Sequence, residues 1–214
     1  EEMKIKERLL DFQAALVFFE AKMFSLKKNL KFITIDQNYL KTLHDSCREV
    51  YYKTYGYETK PYIGILVEEN GVEYVIPLSS AKEKHKSWKN VETDRFLIFE
   101  NCKTAETGTK DIYVKNKDGT FKHILSVIDL KKMIPIKSGL YSEVDLNPSK
   151  KDSVQEIKYK VLLNIEYTFC LKIIDSVIQK ASKLYEKQIS TGKVIKFCCD
   201  FKLLEEKCRE YPVN

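Results

Sequence analysis

Ser79, Ser80, Lys82, Lys84, His85 and Lys86 lie within eight residues of one another, and Lys60, Tyr55 and Tyr57 precede them. Hydroxyls, ammonium groups and an imidazole in such density suit a phosphodiester. Lysines neutralise charge building on the non-bridging oxygens, while serine hydroxyls or loop amides orient them. No Asp/Glu cluster accompanies the group, which disfavours a metal-dependent nuclease, so neither a metal nor a cofactor is expected. The metal-free route open to RNA is attack by its own 2′-OH, leaving a 2′,3′-cyclic phosphate and a 5′-OH. That route needs a base near the 2′-OH and an acid near the leaving oxygen. Lys60 can be the base if burial or neighbouring lysines lower its pKa, and His85 or a nearby Tyr can donate. Ser and Lys after a strand also serve as ordinary turn and surface residues.

Such groups need a scaffold, and residues 60–88 supply one. PYIGILVE and VEYVIP are β-branched and aromatic runs, joined through Asn70-Gly71, which suits a type I′ turn. Neither run alternates cleanly, so both strands are expected to be central in a sheet. In an antiparallel hairpin the start of one strand lies beside the end of the next. Lys60 is therefore expected beside a polar loop running from Ser79 to His85.

The remaining chain reads as helices flanking a mostly antiparallel sheet, an α+β domain over residues 1–214. An amphipathic helical extension is predicted within residues 1–28, where Ile5, Leu9, Phe12, Leu16, Phe19 and Met23 recur at helical spacing. Residues 31–35 form a short strand, and Asp36 caps a helix through Tyr39, Leu40 and Leu43. Strands follow at 95–99, 111–115, 121–129 and 131–136, with Pro135 marking an edge or a strand end. From Ser149 to Ile189 the apolar period is helical. A straight helix of that length would span roughly 60 Å, so a break is expected between Glu166 and Asp175. A last helix covers 200–210. His44 and His123 fall in a helix and a strand and are read as structural.

Net charge is +6 at pH 7 and is supplied mostly by lysine. That balance fits a nucleic-acid partner, or a plain solvated surface. Six cysteines without CxxC spacing read as buried thiols of a reducing compartment. No apolar run approaches a membrane span and residues 1–8 lack signal-peptide character, so a cytoplasmic location is expected.

Several of these motifs, in order, resemble the ToxN/AbiQ family, the endoribonuclease toxins of type III toxin–antitoxin systems. They are FITIDQNYLKTL at 32–43, Lys60-Pro61-Tyr62-Ile63-Gly64-Ile65, Pro77-Leu78-Ser79-Ser80-Ala81-Lys82-Glu83-Lys84-His85, Ile128-Asp129 to Ile136, and FKLLEEKCREY at 201–211. The resemblance implies a compact fold related to the Kid/MazF-type toxins, with residues 1–28 as a departure from it. It implies metal-independent, sequence-selective RNA cleavage in an abortive-infection system. It further implies processing of, and inhibition by, a cognate repeat RNA that folds as pseudoknots, often in closed toxin–RNA assemblies. Lys60, Ser79, Ser80, Lys82 and His85 fall on its active-site positions, and Tyr55 and Tyr57 both flank that of its upstream Tyr. Lys84, Lys86 and Trp88 join these tyrosines as expected RNA contacts. A non-catalytic RNA-binding module using the same basic edge is the competing reading; a helix-mediated scaffold is a third.

Overall fold

The computed structural model describes residues 24–25, 30–53, 61–64, 72–106 and 110–213. The expected helix within 1–28 falls almost wholly outside these residues, and the Asn70-Gly71 turn does so entirely.

Strands β1 (Lys31–Ile35), β2 (Tyr62–Gly64), β3 (Glu73–Ser80), β4 (Arg95–Cys102), β5 (Ile112–Lys115), β6 (Phe121–Asp129), β7 (Ile134–Ile136) and β8 (Tyr141–Glu143) form one antiparallel sheet. Its path is β4-β6-β3-β2-β1-β8, with β5 added to β6 and β7 to β3. The β2–β3 pair is thus central, as its unbroken apolar runs require. Among the described residues, three α-helices pack with the sheet: α1 (Gln37–Ser46), α2 (Val154–Thr191) and α3 (Phe201–Glu210).

Strand β3 meets three partners along its length. Glu73 to Val75 pair with β7, Ile76 and Pro77 with β2, and Leu78 to Ser80 with β6. Pro77 is buried in the middle of this strand, where a proline ordinarily breaks a ladder. Leu78 N donates to Pro61 O at 3.2 Å, so the next pair, Tyr62–Pro77, is a non-hydrogen-bonded one. The proline nitrogen therefore faces the side where β3 passes from β7 to β6, and its missing N–H removes no sheet bond. Pro135 lies within β7, whose ladder runs to β3.

Helix α1 starts where Asp36 accepts from Tyr39 N at 2.8 Å, and it buries Tyr39, Leu40 and Leu43. Helix α2 is opened by a capping box in which Glu156 N donates to Ser153 Oγ at 3.2 Å and Ser153 N to Glu156 Oε2 at 2.7 Å. It runs 38 residues without the expected break and ends at Gly192, whose φ is 62°. No Gly or Pro interrupts it. Its buried residues Leu163, Glu166, Cys170, Val177, Ala181 and Tyr185 recur on one face, so packing is available along its length. Its length is accommodated by overhang: Val154, in the first turn, is 70% exposed.

Three elements converge on one carboxylate. Tyr74 of β3 and Tyr185 of α2 each donate a hydroxyl to Glu205 Oε1 of α3 at 2.7 Å. Burial, and then the Glu205 charge, hold the Tyr74 pKa well above its ordinary value, so it remains a donor. Replacing Glu205 with Ala removes the acceptor that these two hydroxyls share, and we expect a loss of about 2 kcal/mol in denaturant-unfolding stability, with a smaller loss for Glu205→Gln. Equal stability of Glu205→Ala and the parent would contradict this account of how α3 is held.

Candidate active site

The chemistry-bearing residues gather where β3 ends. Ser79 and Ser80 are not in a loop, as the sequence suggested, but are the last residues of β3, paired with Val127 and Ser126 of β6. The ladder continues past them, with Ala81 N donating to Leu125 O at 3.1 Å. Alternation along the strand separates the two serines. Ser80 is exposed and, with Leu78, lines a cleft of about 460 Å³, whereas Ser79 is half-buried and points to the other face.

Beyond Ala81 the chain closes into a short 3₁₀ turn, Glu83–Ser87. Its start is a reciprocal pair: Lys82 N donates to His85 Nδ1 at 2.9 Å and His85 N to Lys82 O at 2.8 Å. Nδ1 must be unprotonated to accept, so the ring proton sits on Nε2. The imidazole is only 3% exposed and lies 4.4 Å from the Trp88 ring. Burial above all, and then the charges of Lys84, Lys82 and Arg95, lower its pKa to about 4. A neutral histidine engaged in this way holds the loop and has no ready proton for a leaving group.

Around this turn Lys82, Lys84 and Lys86 are exposed. Lys86 pairs with Glu83 at 2.7 Å. Trp88 is half-buried and carries Arg95 Cζ 4.0 Å from its ring centroid and Lys84 Nζ at 5.3 Å. One indole face is thereby engaged by a cation before any nucleic acid arrives. Arg95 Nε is buried without a partner, and sequence reasoning missed this residue because nothing at the opening of a strand distinguishes it. Lys60, Tyr55 and Tyr57 lie outside the described residues. Their neighbour Pro61 does lie against Leu78 and the cleft, as the hairpin argument requires.

The cleft is walled by the end of β3, the start of β5, a bulge in β6 and one face of α2. The bulge arises because Ile98 pairs with Ser126 and Phe99 with Ile124, leaving Leu125 of β6 without a partner in β4. Glu166 lies on the α2 wall, and sequence reasoning missed it too. Its signal was present: it falls between Leu163 and Cys170 on the apolar stripe, where a charge is out of place. His44 and His123 are engaged structurally, His44 with Val50 O at 2.8 Å and His123 with Glu100 Oε1 at 3.1 Å while stacked on Tyr113.

Residues 31–209 match the family model described as Toxin ToxN, type III toxin-antitoxin system. The chain belongs to this family. It is 30% identical over 185 residues to Endoribonuclease ToxN of Pectobacterium atrosepticum, spanning 85% of this chain and 94% of that protein. To Endoribonuclease ToxN of Bacillus thuringiensis subsp. kurstaki it is 29% identical over 192 residues, 86% of either chain. Among solved structures it is similar to a type III toxin that is selectively inhibited by a non-coding RNA pseudoknot. There the TM-score is 0.62 at 26% identity, over 86% of this chain and 98% of that one. The ToxN match thus spans both the strand end bearing Ser80 and the helix that walls the cleft.

The His85 pairing has a pH signature. Its folded pKa, about 4, lies below its ordinary 6.5, so the unfolded chain binds the proton more tightly. The stabilisation is complete above about pH 6.5 and is lost as pH falls toward 4. We expect the stability deficit of His85→Ala relative to the parent to be greatest at pH 7–8 and to shrink across that window in urea melts. A deficit independent of pH would overturn the assignment of Nδ1 as acceptor.

Proposed function

We propose that this ToxN-family chain is a sequence-selective endoribonuclease toxin that cuts RNA without a metal, by 2′-OH attack, leaving 2′,3′-cyclic phosphate and 5′-OH ends. The observation that carries the reading is Ser80, exposed at the end of β3 beside the exposed Lys82, whose backbone is held by a neutral His85. The hydroxyl, amide and ammonium groups at this strand end can stabilise charge on a phosphorane. Similarity to proteins named endoribonucleases supports the same reading.

In this scheme Ser80 and the loop amides orient a non-bridging oxygen and Lys82 neutralises its charge. Lys60 takes the 2′-OH proton. Ser79, on the opposite face, supports the strand end from behind. His85 is reassigned from proton donor to positioning residue, leaving Lys82 or a tyrosine of residues 55–57 to serve the leaving oxygen. Lys84, Lys86 and Trp88 continue the basic track along which RNA runs, with Tyr55 and Tyr57 as stacking partners. The partner that restrains the toxin is a small repeat RNA, by analogy with the pseudoknot inhibition of the similar structure. The +6 net charge favours both RNA encounters.

Incubation of the purified protein with RNA in EDTA tests the chemistry. Cyclic-phosphate ends are expected, with the rate lowered about 100-fold or more in Ser80→Ala and Lys82→Ala. Unchanged cleavage in both variants would sink the assignment, and binding without any cleavage would favour a non-catalytic RNA-binding module. Affinity for RNA is expected to fall as salt rises, because lysines displace phosphate counterions. An affinity insensitive to salt would contradict the basic track.

A further inference from the structure

The cleft beside Ser80 has a polar floor that the cleavage scheme does not use. Ser126 faces Ser80 across the β3–β6 ladder, so the two side chains share one face of the sheet. Ser126 is 3% exposed, and its Oγ forms no hydrogen bond of full geometry, although the Glu166 carboxyl lies near enough to feel it. Glu166, on the helix above, is 4% exposed. No cation among the described residues offsets its charge: burial raises its pKa to about 7, opposed only by the nearby Ser126 hydroxyl. A buried ionised carboxylate without a partner is costly, so the site favours a neutral carboxyl, which offers one donor and one acceptor side by side. Leu78, Ile112 and Leu162 supply apolar walls. The volume, about 460 Å³, falls within the roughly 300–1,000 Å³ usual for small-ligand pockets.

Apolar walls suit the flat faces of a nucleobase, and a paired donor and acceptor at the floor suits its hydrogen-bonding edge. Ser80, one strand over from Ser126, places the cleft within a nucleotide's reach of the phosphate. We propose that this cleft holds one base flanking the scissile phosphate, and that Glu166 and Ser126 read its edge and set the enzyme's base preference there. The proposal rests on the reading of Ser80 as a phosphate-handling residue. Glu166 and Ser126 are specificity residues and take no part in the proton transfers.

The test compares the parent with E166L, E166Q and S126A. A randomised RNA pool is cut and the ends are sequenced. At one position flanking the cut, E166L is expected to lower the parent's base preference about 10-fold or more, leaving preferences elsewhere intact. E166Q, whose carboxamide also pairs a donor with an acceptor, keeps most of that preference, and S126A loses part of it. A parent-like preference in E166L overturns the proposal. So does a cleavage rate abolished in E166Q with preference unchanged in E166L, which would make Glu166 a proton-transfer group. Should the parent cut no RNA, the endoribonuclease reading fails by itself. The cleft is then decided by titrating the four nucleoside 3′-monophosphates, read by chemical-shift changes. Discrimination among them in the parent, lost in E166L, supports the pocket; identical profiles in the two reject it.

Discussion

One strand is shared among three neighbours, and the rest of the structure depends on that sharing. β3 hands its hydrogen bonds from β7 to β6 at Pro77 while β2 runs along its other edge. A slip of one residue would turn every β3 side chain to the opposite face. Tyr74 would leave Glu205, Pro77 would meet a ladder that needs its N–H, and Ser80 would leave the cleft for the position of Ser79. The same register that fills the core therefore decides which serine is exposed at the cleft.

Beyond the strand, the loop is held by an interaction that works only in one protonation state. His85 accepts from Lys82 N because it is neutral, and it is neutral because it is buried beside cations. Burial first, and then the charges of Lys84, Lys82 and Arg95, keep the imidazole from charging. The positive charge gathered at this loop and the neutral histidine that fixes it are therefore compatible.

The cleft shows the opposite balance. Glu166 sits on an otherwise apolar helix stripe, and the Ser126 hydroxyl beside it forms no hydrogen bond of full geometry. Unrelieved polar groups of this kind are expensive in a core and are expected where a ligand relieves them. The β6 bulge at Leu125 and the uninterrupted α2 bring them together with Ser80, although 86 residues of sequence separate Ser80 from Glu166.

Much of this was legible from residue types alone. Runs of β-branched residues marked the strands, Asp36 marked a helix start, and the density of Ser, Lys and His pointed to a phosphate site. These signals are local, and local propensity carries them. Three features were not local. Pattern showed that α2 was helical but could not show that it runs unbroken, because overhang beyond the sheet absorbs its length. Spacing grouped Ser79 with Ser80, whereas the pairing of β3 with β6 put them on opposite faces. His85 reads from sequence as one of two candidate donors, with a nearby Tyr, whereas burial beside Trp88 and the bond from Lys82 N make it a neutral acceptor. The sequence by itself determined which groups are present and the elements that carry them. Only the tertiary structure decided which groups meet, because burial, pairing register and protonation depend on residues far away along the chain.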